Sequence, residues 1–130
     1  MGTAPVKDIA TWCLFIDDLR HKSSVDWDGA AVISAKTVEE SIELIESHRQ
    51  LPLHISFDHD LGEGQPPATA IMWHLINGHL DGKWDCNDIR SVQVHSANPV
   101  GADNLVKLWQ CFCAEHSIVM DITRKEAIEK

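Results

Sequence analysis

The stretch His54-Ile55-Ser56-Phe57-Asp58-His59-Asp60-Leu61-Gly62 decides how this chain is read. His54 to Phe57 is a short, apolar-leaning run that reads as a buried strand, and it stops at Asp58, His59 and Asp60. Gly62 and Gly64 then supply a turn before Pro66 and Pro67 open the next element. Two carboxylates and an imidazole at the carboxyl end of a core strand are not packing residues, because burying a charge costs more than a small core returns. They belong where a site is lined. Working outward, two more strand ends share the pattern. Leu14-Phe15-Ile16 runs into Asp17-Asp18-Leu19-Arg20, and Val92-Gln93-Val94 runs into His95-Ser96-Ala97-Asn98.

The remaining elements follow in order. Trp12 to Ile16 form a first strand whose near-continuous apolar run suits burial on both faces, and Ala30 to Ser34 form a weaker second one. Thr37-Val38-Glu39-Glu40 is a capping box that opens a helix to about Gln50, with Val38, Ile42 and Ile45 on one stripe. A helix from about Ala68 carries Ile71, Leu75 and Ile76 until Asn77-Gly78 loosens it, and a polar loop occupies Asp81 to Asp88. Arg90 to His95 is the fourth strand. A helix from about Ala102 to Glu115 turns Leu105, Leu108, Trp109 and Phe112 inward. Ser117 to Ile122 is the fifth strand, and Arg124 to Lys130 leaves room for a stub of helix at most. Residues 1–10 read as a loose leader.

Strands that alternate with helices predict an α/β domain with a parallel sheet and helices on both faces. The expected fold is flavodoxin-like: five strands in the order 2-1-3-4-5, a truncated last helix, and one domain over 1–130. Ligands in such sheets bind beyond the carboxyl ends of the strands, where the strand order reverses. That crevice lies between strands one and three, so the three polar strand ends are predicted to meet.

Composition narrows the function. The chain has 130 residues and a formal net charge of −9, which suits one domain and disfavours a broad grip on duplex DNA. It does accommodate a small phosphorylated ligand held by a few cations or a metal. No apolar run approaches the roughly 20 residues of a membrane span, and no basic-then-apolar leader marks secretion, so the cytoplasm is expected. Cys13, Cys86, Cys111 and Cys113 contain no C-x-x-C spacing, and residues two apart on a helix face different ways. Free thiols of a reducing compartment are the reading, rather than zinc.

An acidic pair after strand one and an Asp after strand three, with a Ser or Thr after strand four and a Lys after strand five, is the arrangement of a response-regulator receiver. Asp17, Asp18, Asp58, Ser96 and Lys125 fill those positions. The chain departs from an ordinary phospho-receiver in three places. Asp58 is followed by His59-Asp60, His95 precedes Ser96, and Glu126 follows Lys125. With those departures, Leu14 to Arg20, Ile55 to Gly62 and Val94 to Pro99 together resemble the cyclic-phosphate processing receiver domain family, found in bacteria and their phages. The resemblance implies a receiver-like fold and an action on cyclic phosphate groups, such as those of RNA ends or cyclic nucleotides.

The chemistry is also legible from the residues. Opening a cyclic phosphodiester needs a base for water, an acid for the leaving oxygen, and positive charge on the phosphoryl oxygens. His59 and His95 suit the first two roles, beside Asp58. Asp17, Asp18 and Asp58, with Asp60 as a further donor, suit a magnesium or manganese ion. Alternatively Arg20 clamps the phosphate and the carboxylates orient the histidines. Arg20, Ser96, Asn98 and Lys125 are the candidate substrate contacts, and the expected partner is a small phosphorylated nucleotide or RNA end.

Plainer roles compete for several of these residues. Asp17 or Asp18 could cap a loop, Asp60 the Leu61-Gly62 turn, and Ser96 and Asn98 the helix after Pro99. The tryptophans read as core, except Trp27, which could stack on a base. Three functions therefore stand: a small phosphoesterase, a non-catalytic binder that sequesters a phosphorylated nucleotide, and a receiver that accepts a phosphoryl group on Asp58. The short C-terminus adds an expectation of a homodimer, or of an N-terminal segment, over the sheet face that a last helix would cover.

Overall fold

A computed structural model describes residues 12–18, 31–62, 64–96 and 98–124. Five strands form one parallel sheet: β1 (Trp12–Ile16), β2 (Ala31–Ala35), β3 (His54–Phe57), β4 (Ser91–Val94) and β5 (Asp121–Arg124). Their order is β2-β1-β3-β4-β5, so the strand order reverses between β1 and β3. Helices α1 (Val38–Ser47), α2 (Thr69–Leu80) and α3 (Pro99–Glu115) follow β2, β3 and β4. All three crossovers step across the sheet in one direction, and right-handed connections therefore carry these helices over one face. They pack on each other in sequence, α1 on α2 and α2 on α3. The connection from β1 to β2 steps the opposite way, and residues 19–30, like residues 125–130, lie outside the described part.

Strand alternation divides the side chains. Trp12, Leu14, Ile16, Ile55, Phe57, Val92 and Val94 enter a core with Ile71, Leu75, Leu105 and Trp109 of the helices. Burial of each such aliphatic side chain is worth about 1.5–3 kcal/mol. The alternate positions, Phe15, Ser56 and Gln93, take the opposite face, since successive strand residues point to opposite sides. That face carries buried polar groups, whereas the buried strand residues on the helix face are all apolar.

Several boundaries differ from expectation, each for a local reason. β2 runs to Ala35 because the amide of Asp17 donates to the Ala35 carbonyl at 3.0 Å. The Thr37 cap forms, its Oγ1 accepting from the amide of Glu40 at 3.0 Å, but the Glu40 carboxylate reaches back one residue further, to the amide of Lys36. β4 stops at Val94, which leaves His95 beyond the ladder.

Helix α2 continues through Asn77-Gly78 to Leu80. Gly78 serves packing there, since a Cβ on it would lie 2.1 Å from the Trp84 ring, whose Nε1 donates to the Leu75 carbonyl. Helix α3 starts at Pro99 rather than Ala102, because Asn98 caps it and proline suits the first helical position. β5 is Asp121–Arg124 rather than Ser117 to Ile122. Ser117 takes a φ of 58° in the turn after α3, which delays the strand. The tryptophans divide: Trp12 and Trp109 are buried, Trp84 is half-buried, and Trp73 stands exposed on α2. Trp27 lies outside the described residues.

Candidate functional site

The residues just past β1, β3 and β4 occupy one row. Phe15 pairs with Ser56, and Phe57 with Val94. The amide of Asp58 donates to the Ile16 carbonyl at 3.0 Å, and that of His95 to the Phe57 carbonyl at 2.9 Å. Extending the register by one step sets Asp17, Asp58 and His95 side by side, on the face that Phe15, Ser56 and Gln93 share. Their ligand atoms all lie within 4.8 Å of one another. All three residues are buried: Asp17 is 2 % exposed, Asp58 6 % and His95 5 %.

Both ring nitrogens of His95 are engaged. Nε2 lies 2.8 Å from Asp17 Oδ2, and Nδ1 lies 2.5 Å from Ser56 Oγ. Ser56 Oγ also accepts from Gln93 Nε2 at 3.1 Å, so its proton is available to His95 Nδ1. In that tautomer Nε2–H donates to the carboxylate of Asp17; when Nε2 serves as a cation ligand the ring proton stands on Nδ1 and donates to Ser56 Oγ, which also accepts from Gln93. Phe15 stacks on the His95 ring, with centroids 5.0 Å apart and planes 6° from parallel. Asp17, His95 and Ser56 have the connectivity of a hydrolase triad. Ser56 is nevertheless fully buried inside the sheet, where no substrate phosphorus can reach it. It holds the ring rather than attacking.

A second cluster occupies the β3–α2 loop and the start of α3. His59 Nδ1 lies 2.7 Å from Asp60 Oδ1, and Asp60 Oδ2 accepts from Asn98 Nδ2 at 3.0 Å. These two bonds hold the Asp60 carboxyl below its ordinary range, Asn98 contributing most and His59 next. Asn98 Oδ1 accepts from the amide of Gly101, and Ser96 Oγ from the amide of Asn98, each at 3.0 Å. Asn98 thus caps α3 and also reaches Asp60.

The two clusters divide the residues that the sequence groups together. Asp17, Asp58 and His95 converge. Asp18, the neighbour of Asp17, leaves the strand on the other side, and its Oδ2 lies beside Gly62. Asp60 sits with His59 and Asn98. Arg20 and Lys125 lie outside the described residues. Ser56, Gln93 and Gly101 carry site geometry that the strand ends alone did not flag. The signal for the first two was alternation: Ser56 and Gln93 stand two residues before Asp58 and His95.

The family model of the cyclic-phosphate processing receiver domain matches residues 12–110, which span all three polar strand ends. The chain belongs to this family. No curated protein and no solved structure matches this receiver domain. Membership accounts for the parallel sheet, for its strand order, and for the tie to cyclic-phosphate processing.

The donor set of the receiver domain also fits a divalent cation. Two carboxylates and an imidazole nitrogen converge, and the imidazole is oriented by an outer hydroxyl in the way that metal-binding histidines are. Among the described residues, no helix is long and apolar enough to cross a membrane.

Proposed function

We propose that this receiver domain opens a cyclic phosphate, carried by a small nucleotide or an RNA end, by adding water. The single observation behind the reading is the buried convergence of Asp17, Asp58 and His95 at the switch point of the sheet. A chain with a net charge of −9 repels a phosphate unless a cation stands at the site. Asp17, Asp58 and His95 Nε2 would hold a magnesium or manganese ion, which when bound supplies positive charge to the phosphoryl oxygens. Arg20 and Lys125 are the side chains proposed to add to it from the neighbouring strand ends.

His59 carries the proton in this reading. Its Nδ1 faces Asp60, and its Nε2 has no partner among the described residues, so that nitrogen is the one able to serve water. Water attacks phosphorus and gives its proton to His59 Nε2. The bond from phosphorus to one ribose oxygen breaks, and that oxygen takes a proton from solvent while the His59 imidazolium gives up the one it received, leaving a phosphate monoester, a free hydroxyl and His59 neutral again. His95, with both nitrogens engaged, anchors the cation end instead of exchanging protons with substrate.

The test is incubation of the full chain with a panel of cyclic-phosphate nucleotides, with and without magnesium or manganese, read by mass spectrometry. Gain of one water that depends on Asp58 and His59 supports the reading. Bound but unchanged nucleotide replaces it with sequestration, and a phosphoryl group on Asp58 after acetyl phosphate treatment replaces it with a signalling receiver.

A further inference from the structure

We infer that Asp60, Asn98 and Gly101 form a seat that fixes His59 with Nε2 directed outward, which makes Asp60 and Gly101 positioning residues for proton transfer. The inference rests on the reading of His59 given above.

Three observations carry it. First, an ionised carboxylate only accepts hydrogen bonds, so the 2.7 Å contact with Asp60 Oδ1 puts a proton on His59 Nδ1. A neutral ring then has its acceptor lone pair on Nε2. Second, Asp60 is itself held although its side chain is 61 % exposed. Its other oxygen accepts from Asn98, whose amide orientation is decided by its second bond, from the Gly101 amide to Oδ1. Asp60 Oδ1 and Oδ2 are engaged by the His59 and Asn98 side chains rather than by the Leu61-Gly62 turn, one of the two roles the sequence offered for it.

Third, Gly101 makes the space. It lies in the first turn of α3, where glycine is a poor helix former, and its φ is not among the positive values that call for glycine. A Cβ there would stand 2.5 Å from Cγ and Nδ1 of the His59 ring. The Cγ, Nδ1 and Cδ2 side of the ring therefore abuts Gly101, and Nε2 is not among the three nearest atoms. On the other side, the His59 carbonyl accepts from the amide of Ala68 at 3.0 Å, which ties the residue to the start of α2.

Helix propensity favours alanine over glycine, so Gly101→Ala is a variant expected to fold while evicting the ring. Asp60→Ala, at an exposed position, is the second variant. The first readout is the tautomer of His59 in long-range proton–nitrogen spectra of the full chain, recorded above the range in which imidazoles titrate and assigned with His59→Gln. The seat predicts Nδ1–H in the wild type, the reverse of the form that free histidine favours, and loss of that signature in both variants. The second readout is turnover of a cyclic-phosphate nucleotide. Gly101→Ala should lower kcat by a factor approaching that of His59→Ala, about 10²–10⁴-fold for a positioned proton-transfer group, with KM little changed. Nε2–H in the wild type, or a His59 signature untouched by Gly101→Ala, overturns the seat. The Nδ1–H signature in a domain that turns over no cyclic phosphate upholds the seat and removes the reaction, so the two failures are distinct.

Discussion

Ser56→Ala removes one oxygen from the middle of the sheet, and the structure assigns its consequence. Ser56 is fully buried, and its hydroxyl serves two partners, His95 Nδ1 at 2.5 Å and Gln93 Nε2 at 3.1 Å. Gln93 is half-buried and can turn its amide to water. His95 is 5 % exposed and stacked under Phe15, so its Nδ1 is stranded. Leaving one buried polar group without its partner costs about 1–3 kcal/mol. For a domain of this size that is a fall in Tm of roughly 3–12 °C.

The same change acts on cation binding. A ring that has lost its outer hydrogen bond is misoriented more often, and such losses weaken metal affinity by about 10–100-fold, or roughly 1.4–2.7 kcal/mol. Urea unfolding and calorimetric titration with manganese measure the two effects on one preparation. Ser56→Ala should lower both. A variant with wild-type stability and wild-type manganese affinity would refute the idea that this hydroxyl holds His95.

Other outcomes follow from the same geometry. Because one donor is an imidazole nitrogen, manganese should bind more tightly than magnesium, and His95→Ala should narrow the gap while Asp58→Ala abolishes both; equal heats for wild type and Asp58→Ala would dismiss the cation site. Gly78→Ala should destabilise, although helix propensity alone favours it by about 1 kcal/mol, because its Cβ meets the Trp84 ring at 2.1 Å and overpacking costs about 1–3 kcal/mol. Urea unfolding and the Trp84 fluorescence report that change, and a stabilised variant would contradict it.

Burial pushes the Cys86 thiol up to about 12 and the Cys113 thiol to about 11, against an ordinary 9.0. Both stay protonated in the folded state after the unfolded chain has released those protons, so stability should fall as pH rises from 9 toward 11. A flat urea midpoint across that window would count against it. At pH 8 iodoacetamide should reach the exposed Cys111 long before Cys86, Cys13 or Cys113, as peptide mapping would show.

The alternation of strands with helical stretches was enough to predict a parallel sheet, because a period of two set against one of 3.6 is a local property of the chain, whereas the order 2-1-3-4-5 came with the receiver-like fold that the chain resembles. The placing of Asp17, Asp58 and His95 at strand ends was legible locally too, since a charge at the end of an apolar run has few other homes. Tertiary structure decided which of these neighbours meet. Asp17 and Asp18 are adjacent in sequence, yet the pleat sends one to His95 and the other to Gly62. His59 and His95 read as an acid–base pair, but register seats His95 over Ser56 while the α3 backbone receives His59. Gly101 illustrates the limit most clearly. In sequence it punctuates a helix, and only the packing of that helix against the β3–α2 loop shows that an imidazole fills the space a Cβ would take. Elements follow from short-range preferences that each segment carries alone, whereas a site depends on which side chains distant segments bring within a few ångströms of each other.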